Sequence, residues 1–234
     1  MKIALLGYGR MGKEIEKIAV SRGHEIVIRK DANDVIDITL ADVAIDFSIP
    51  DSAFSNITNC FNNNVPVVSG TTGWLENYNE AVALCKEKEG GFIYASNFSV
   101  GVNIFFELNK QLAKMMSTLK EYNVSMEEIH HTKKLDAPSG TAITLAEGVI
   151  ENSSKEGWVL GDKTSEENSI PIVAKRIPDV PGTHSVWYNS EVDTIEIKHT
   201  AHNRKGFALG AVIAAEWILD KTGVFSMKDV LNIS

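Results

Sequence analysis

A glycine-rich turn near the N-terminus most strongly limits what this chain can fold into. Residues 2–6 (KIALL) form a short apolar run typical of a strand, and the sequence GYGRMG follows at residues 7–12. A helical pattern of apolar residues then continues to about Gly23. Strand, Gly-x-Gly-x-x-Gly turn and helix in this order are the fingerprint of a dinucleotide-binding unit. We therefore expect this turn to approach the pyrophosphate of a nicotinamide dinucleotide.

The end of the second predicted strand, residues 25–30 (EIVIRK), bears on the choice of cofactor. An acidic residue at this position often holds the ribose hydroxyls of NAD. Here Arg29 and Lys30 come first and Asp31 follows. The basic residues would attract a 2′-phosphate and favour NADPH, whereas Asp31 leaves NADH open. Two solvated charges at a strand end are an equally ordinary explanation.

Strands and helices alternate over the first hundred residues. This order predicts a parallel sheet with both faces covered, and ligands at the carboxyl ends of its strands. Polar loops follow three of these strands, at 47–48, 70–73 and 97–99, and each could touch the cofactor or be a plain turn. The predicted elements are strands at 43–48, 65–69 and 91–96 and helices at 51–63 and 77–88.

The pattern changes after about residue 99. A long amphipathic helix is followed by several strands and few helices, which predicts a second domain built on an open mixed sheet. The last long helix is apolar nearly all round, so we expect it to be buried and to return to the first domain. The elements expected here are helices at 102–119 and 207–219, strands at 123–128, 172–177, 184–188 and 194–200, and an exposed loop at 158–169.

The predicted fold class is therefore α/β. A Rossmann-like parallel-sheet domain comprises residues 1–99, completed by 207–234. An α+β domain with an open mixed sheet comprises residues 100–206.

Residues 128–142 (EIHHTKKLDAPSGTA) concentrate acid–base and cationic side chains. His130, His131 and Lys134 are expected on a loop, directly before a helix that starts at Ser139. Free N–H groups at a helix start bind a carboxylate well. The cluster thus suits a small anionic substrate that needs a proton. The alternative is a polar surface turn with an ordinary helix cap.

Composition and charge exclude several other classes. A formal charge of −8 without a Lys/Arg-rich face argues against nucleic-acid binding. Cys60 and Cys85 have no metal-like spacing near the histidines, so we expect reduced thiols, no metal site and a cytoplasmic protein. No apolar run reaches membrane-spanning length, and Met1 leads directly into a strand, so neither a membrane segment nor a signal peptide is expected.

Together these motifs resemble the 4-hydroxy-tetrahydrodipicolinate reductase (dihydrodipicolinate reductase) family. The pattern E-x-x-H-H-x-x-K-x-D-A-P-S-G-T-A is matched from Glu127 or Glu128 through Ala142, and it is highly specific. The other matching segments span nearly the whole chain: GYGRMG at 7–12, DFS at 46–48, GTTG at 70–73, ASNFSVGVN at 95–103, GTH at 182–184 and RKGFALGA at 204–211.

The resemblance implies a reaction in the diaminopimelate–lysine pathway. A cyclic imine dicarboxylate loses its 4-hydroxyl as water and accepts hydride at C4 from NADPH or NADH, and the resulting enamine is protonated at the adjacent carbon. His130 corresponds to the general acid. Lys134 corresponds to the catalytic lysine that binds a carboxylate and stabilises developing charge. A homotetramer is also implied.

The resemblance further implies two sets of binding residues. The positions expected to hold the substrate are His131, Ser139, Gly140, Thr141 and Arg204. The positions expected to bind the cofactor are Gly7, Tyr8, Gly9, Arg10, Met11, Gly12, Arg29, Phe47, Ser48, Gly70, Thr71, Thr72, Ser96, Asn97 and Phe98.

Three other readings stay open at this point. A related dehydrogenase acting on an open-chain imine would not need a doubled carboxylate site. A redox-sensing NAD(P)-binding regulator would not need His130 and Lys134, and it would carry a basic recognition helix. If the chain is a generic α/β protein, every one of these motif matches is a coincidence.

Overall fold

The computed structural model describes residues 1–31, 34–162, 166, 168–203 and 205–233. The chain divides into two compact units: residues 1–103 with 205–234, and residues 104–204. In chain order the helices and strands are β1 Lys2–Leu6, α1 Arg10–Ser21, β2 Glu25–Lys30, β3 Val43–Asp46, α2 Pro50–Asn62, β4 Val67–Ser69, α3 Tyr78–Glu87, β5 Gly91–Tyr94, α4 Val100–Met116, β6 Asn123–His130, α5 Gly140–Ile150, β7 Gly157–Leu160, β8 Ser169–Arg176, β9 Gly182–Asn189, β10 Thr194–Ala201, α6 Lys205–Ile218, β11 Gly223–Phe225 and α7 Met227–Leu231.

The first unit contains a parallel sheet in the order β11-β5-β4-β3-β1-β2. Successive residues of a strand pack on opposite faces. In β1, Ile3 and Leu5 pack with α1 and α6, whereas Ala4 and Leu6 pack with α2 and α3. All four side chains are at most 1% exposed, so both faces of the sheet are covered. This is the Rossmann-like layout predicted from the alternating pattern.

Two elements near the C-terminus complete the first unit. Helix α6 presents Ala208, Ala211, Ala215 and Ile218 to the same core as Ile3 and Leu5. Strand β11 adds a sixth strand to the described sheet by pairing with β5. Strand β11 was not predicted from the sequence, because it is an edge strand that begins at a glycine and contains no fully buried residue.

The second unit contains a mixed sheet in the order β10-β9-β6-β8-β7. Strand β6 is antiparallel to β9 and parallel to β8. One face carries an apolar core shared with α4 and α5, including Leu112, Val124, Leu145 and Val186. The predicted open mixed sheet is confirmed.

One expectation about the second unit was wrong. Residues 158–169 were expected to form an exposed loop, but Gly157–Leu160 forms β7 and pairs in parallel with β8. The stretch is an edge strand of four residues, and its glycine and neighbouring polar residues hid the pattern. Residues 163–165 and 167 lie outside the described residues. Across the part of the chain that the structure describes, no helix is long and apolar enough to cross a membrane.

The contact between α6 and the segment after β5 gives a stability prediction. A Cβ added at Gly210 would lie 1.7 Å from the carbonyl oxygen of Phe98, whereas one at Gly206 would meet its nearest neighbour, Oγ of Ser99, at 3.5 Å. We expect Gly210→Ala to lower the free energy of unfolding by about 3 kcal/mol, because buried backbone must move to relieve the clash. Gly206→Ala, on the same helix, should change it by less than about 0.5 kcal/mol. Urea unfolding midpoints measure both, and equal midpoints would contradict the packing argument.

Candidate active site

A pocket of about 230 Å³ lies at the carboxyl ends of β1, β2 and β3 in the first unit. Such a position is where open parallel sheets bind their ligands. Five of the residues predicted to bind cofactor line it together. The lining residues are Gly7, Tyr8, Gly9, Lys30, Asp31, Phe47, Ser48, Ile49, Ser52 and Asn56.

The glycine turn fits a phosphate-binding role. Gly7 has φ +99°, and a Cβ there would lie 2.3 Å from the carbonyl oxygen of Phe47. Helix α1 begins directly after the turn at Arg10, with Gly9 as its N-cap. A glycine cap has no side chain to satisfy the first N–H groups of the helix, so those of Arg10, Met11 and Gly12 are oriented for an anion.

The two basic residues at the end of β2 lie in different surroundings. Lys30 lines the pocket, and its Nζ donates to Oδ1 of Asn56 at 2.8 Å. The guanidinium of Arg29 instead pairs with Glu16 at 2.5 Å and lies 6.0 Å from the ring centre of Tyr8. The assignment of Arg29 to cofactor binding stays a prediction, with Lys30 as its competitor.

A buried carboxylate, Asp46, supports the floor of this pocket. Its side chain accepts hydrogen bonds from four neighbours, and it is 0% exposed. Burial raises the pKa of Asp46, and these hydrogen bonds oppose the rise. The donors are Ser48 Oγ at 2.7 Å, Asn56 Nδ2 at 3.0 Å, Ser69 Oγ at 2.9 Å and Thr71 Oγ1 at 2.7 Å.

The remaining predicted cofactor residues lie along the same edge of the sheet. Gly70, Thr71 and Thr72 follow β4, and Thr71 Oγ1 also accepts the Ser48 backbone N–H at 2.9 Å. Ser96, Asn97 and Phe98 follow β5. Phe98 is 1% exposed and packs on the ring of Phe47 at 5.7 Å. Its position is that of a core residue which holds Phe47.

In the second unit, strand register brings an acid–base cluster together. Glu128 of β6 is paired directly with His184 of β9, and His130 is two residues further along β6 on the same face. His130 is also paired with Arg176 of the neighbouring strand β8. The Nε2 atoms of the two imidazoles are 3.3 Å apart.

Glu128 is the anion at the centre of this cluster. It is 0% exposed, and its Oε1 accepts from Arg176 Nη2 at 3.0 Å. Its Oε2 accepts the backbone N–H of Ser139 at 3.1 Å and lies 3.3 Å from His130 Nε2. Burial raises the pKa of Glu128, but hydrogen bonds from His130, Ser139 and Arg176 outweigh that effect and lower it to about 2.

The two imidazoles differ in their hydrogen bonds. Nδ1 of His130 lies 3.2 Å from the carbonyl oxygen of Pro181, which only accepts, so Nδ1 carries a proton. Its Nε2 faces the Glu128 carboxylate at 3.3 Å. Burial, and then the nearby charge of His130, lower the pKa of His184 to about 4, so His184 is neutral near pH 7.

Lys134 and the loop around it are held by two neighbours. Nζ of Lys134 donates to both carboxylate oxygens of Asp136, at 2.9 and 2.7 Å. Arg176 donates to the backbone carbonyls of Lys134 at 3.3 Å and Asp136 at 2.6 Å. The ion pair with Lys134 lowers the pKa of Asp136. Arg176 thus binds both the buried Glu128 and the loop that carries Lys134.

The predicted substrate-binding residues lie beside this cluster. Ser139 caps α5, since its Oγ accepts the N–H of Ala142 at 3.2 Å, and the same oxygen lies 3.1 Å from His184 Nε2. Gly140 and Thr141 form the first turn of α5. Nδ1 of His131 is buried without a hydrogen-bond partner among the described residues. Arg204 lies outside the described residues.

Sequence reasoning did not identify Asp46, Asn56, Glu128, Arg176 and His184 as site residues. A usable signal existed for Glu128 and His184. Each continues the core-facing alternation of its strand, after Val124 and Met126 in β6 and before Val186 in β9. A charged residue at a core-facing position needs a buried partner.

The fold of the first unit and the acid–base cluster of the second define the class: a nicotinamide-dinucleotide-dependent oxidoreductase. Residues 1–98 match the family described as "Dihydrodipicolinate reductase, N-terminus", and residues 101–231 match "Dihydrodipicolinate reductase, C-terminus". The chain belongs to the dihydrodipicolinate reductase family, which uses NADH or NADPH. The family resemblance and the cofactor class predicted from the sequence are confirmed.

Two relatives are similar to this chain in sequence, and two solved structures share its fold. The 4-hydroxy-tetrahydrodipicolinate reductase of Christiangramia forsetii is 59% identical over 99% of this chain and 98% of its own. That of Thermosipho africanus is 34% identical with the same coverage. A dipicolinate-bound dihydrodipicolinate reductase from Paenisporosarcina sp. TG-14 shares the fold, with a TM-score of 0.76 and 24% identity over 97% of each chain. A probable dehydrogenase from Thermotoga maritima has a TM-score of 0.59 and 10% identity, covering 98% of this chain and 92% of its own.

The surroundings of Arg29 and Lys30 give a prediction about cofactor choice. We expect Lys30→Ala to weaken NADPH binding about tenfold more than NADH binding, because the ammonium lines the pocket and would contact a 2′-phosphate. Arg29→Ala should have a smaller effect, since its guanidinium is already paired with Glu16. Fluorescence titrations of the wild type and both variants with each cofactor measure the dissociation constants. A larger loss in Arg29→Ala would restore the role that the sequence predicts for that residue.

Proposed function

We propose that this chain reduces 4-hydroxy-tetrahydrodipicolinate to tetrahydrodipicolinate in diaminopimelate and lysine biosynthesis. His130 acts as the proton donor. Lys134 and the Ser139-Gly140-Thr141 helix start hold the substrate carboxylates. Residues 1–99, with 207–234, form the dinucleotide-binding domain, and residues 100–206 form the substrate domain. The observation that carries the proposal is the convergence of Glu128, His130 and Ser139, beside the loop of Lys134, in a chain 59% identical to a reductase of this name.

Proton donation by His130 is supported by its hydrogen-bond partners. Nδ1 of His130 donates to a carbonyl and Nε2 faces the Glu128 carboxylate, so the ring is oriented with Nε2 as the atom that would carry the donated proton. Glu128 therefore acts as the positioning residue for the proton on Nε2. That proton points inward, so delivery to a substrate carbon requires the imidazole to turn away from Glu128.

Carboxylate binding by Lys134 is supported by its existing ion pair. Asp136 is a carboxylate that already occupies the ammonium group. A substrate carboxylate would exchange with Asp136 or share the ammonium with it, and Asp136 would keep Lys134 in place between turnovers. The first N–H groups of α5 supply a second, uncharged carboxylate site. His131 would contribute its unpaired Nδ1.

The glycine turn and the start of α1 support cofactor binding in the first unit. A side chain at Gly7 would collide with the Phe47 backbone, so glycine there lets the turn pack tightly. A Cβ at Gly9, which lines the pocket, would meet nothing within 4 Å, so this part of the turn leaves room for a ligand. The bound nicotinamide supplies the hydride. The chain contributes the phosphate-binding N–H groups of the α1 start and the pocket beside Lys30 and Asp31.

Assembly and location are part of the same proposal. In the second unit, helices α4 and α5 share a core with one face of the sheet, and the alternate side chains of β6, such as Ser125 and Glu127, lie on the other face. We place the contacts of the predicted homotetramer on that face, and sedimentation analysis tests the assembly. A cytoplasmic location is supported by two free, buried thiols, Cys60 and Cys85.

A coupled assay tests the reaction directly. Pyruvate, aspartate semialdehyde and dihydrodipicolinate synthase generate the substrate in place, and absorbance follows the oxidation of NADPH or NADH. We expect oxidation that depends on both the synthase and this chain. Cofactor binding without oxidation would contradict the proposal and favour a dehydrogenase for another imine or a cofactor-binding regulator.

The role of Lys134 gives a prediction with a neighbouring control. Lys134→Ala should lower kcat/KM at least about a hundredfold, because the variant loses a partly buried cation that stabilises developing charge. Lys133→Ala should change it less than about threefold, since exposed charges are weakly coupled to their surroundings. NADPH binding, measured separately, should be the same in both variants. Equal activities would remove Lys134 from the proposed mechanism.

A further inference from the structure

Three potential metal ligands meet in the second unit, although the sequence predicted no metal site. They are Oε2 of Glu128, Nε2 of His130 and Nε2 of His184. We propose that these three atoms bind a divalent transition-metal ion, with Zn²⁺ as the best fit, and that the bound ion inhibits the reductase. The inhibitory part rests on the function proposed above, whereas the binding part does not.

The distances between the three atoms suit zinc without rearrangement. Nε2 of His130 is 3.3 Å from both of the other atoms, and these two are 3.8 Å apart. Atoms at such separations share a point about 2 Å from each, which is the usual length of a zinc bond to nitrogen or oxygen. Two imidazoles and one carboxylate are also the ligands of known zinc hydrolases, in which water takes the fourth position.

The neighbours of the cluster act as an outer shell does at a metal site. A metal-bound imidazole usually donates its other N–H to a carbonyl or carboxylate. His130 does so, from Nδ1 to the carbonyl oxygen of Pro181 at 3.2 Å. Arg176 and the Ser139 N–H fix the carboxylate of Glu128 in the same way.

The charged groups around the three ligand atoms are compatible with a bound divalent cation. Glu128 offers a fully buried carboxylate oxygen, and the ring nitrogens of His130 and His184 lie within reach of it, so one anionic and two neutral ligand types face a common point. Arg176 and Lys134 are the cations nearby, and each is already paired with a carboxylate, Glu128 and Asp136 respectively. Softness of the ligands favours zinc over magnesium or calcium, which prefer oxygen.

Inhibition follows because one atom serves two purposes. Nε2 of His130 holds either the proton that the reduction requires or the metal ion, since it has one lone pair. A bound ion would also fix the imidazole facing Glu128 and prevent it from turning toward substrate. The three ligands come from β6 and β9, so no loop has to close for binding.

The binding test uses the full chain without substrate. Zn²⁺ is titrated against a chromogenic chelator in the presence of the wild type, His184→Gln, Glu128→Gln and His24→Gln. His24 is the matched control, because its Nε2 also contacts a carboxylate, that of Glu216 at 2.7 Å. We expect one equivalent of Zn²⁺ in the wild type and in His24→Gln, and at least about tenfold weaker binding in the other two variants. Absence of a one-equivalent site, or equal affinity in all four proteins, would overturn the proposal.

Two further measurements complete the test. The first uses only the wild type, so it does not depend on the folding of a variant, and the second separates failure of the zinc site from failure of the proposed function. Zinc-edge X-ray absorption on the wild type should show two imidazoles, oxygen and no sulfur; a single imidazole or any sulfur would overturn the assignment. In the coupled assay, Zn²⁺ should abolish NADPH oxidation reversibly with chelator and leave NADPH binding intact. Zinc binding by an inactive chain would sustain the site and reject the reductase, whereas full activity of the zinc-loaded chain would reject inhibition.

Discussion

The ion pair between the buried Glu128 and the partly exposed Arg176 is the interaction on which the arrangement of the acid–base cluster depends. A carboxylate without solvent contact is unfavourable unless its oxygens are satisfied, and removing one partner of such a pair costs about 3–5 kcal/mol. Here the partners come from β8, from β6 itself and from the start of α5. Glu128 therefore joins three elements of the second unit, and His130 and Ser139 are positioned by the same contacts that make its charge tolerable.

The first unit solves a similar problem with different chemistry. Asp46 ends β3, is equally buried, and receives four side-chain hydrogen bonds. The cation nearest in this network, Lys30, reaches it through Asn56, whose amide donates to Asp46 and accepts from Lys30. Hydroxyls and an amide thus take the place of the guanidinium. This network fixes the floor of the pocket. It also keeps the Lys30 ammonium at the pocket wall, where a cofactor phosphate would contact it.

Features that depend only on residues close together in the chain could be predicted from the sequence. The strand, turn and helix of residues 2–21 were predictable because the glycine spacing and the apolar period agree there. Strands β7 and β11 were not, since both are edge strands that begin at a glycine and contain no fully buried residue, so they lack the apolar run that marks β3, β4 and β5. The segment with His130, Lys134 and Ser139 was recognised as a unit, although His130 ends β6 and does not lie on the loop as expected. His184, 54 residues from His130, joins the segment only through strand pairing. Asp46 stood inside the recognised DFS segment, but burial, which sets its role, is a property of the folded sheet.

Strand register connects the hydrophobic core of the second unit to its chemistry. Val124 and Met126 of β6 and Val186 and Tyr188 of β9 face the core, and Glu128 and His184 continue the same two rows. A slip of one residue would turn every one of these side chains to the opposite face, so the apolar rows that fix the register also fix the distance from the carboxylate to the imidazole. The geometry of the cluster is therefore set by the same strands that form the hydrophobic core. The same rigidity keeps two imidazole nitrogens and a carboxylate oxygen converging on one point, where a proton and a metal ion must compete.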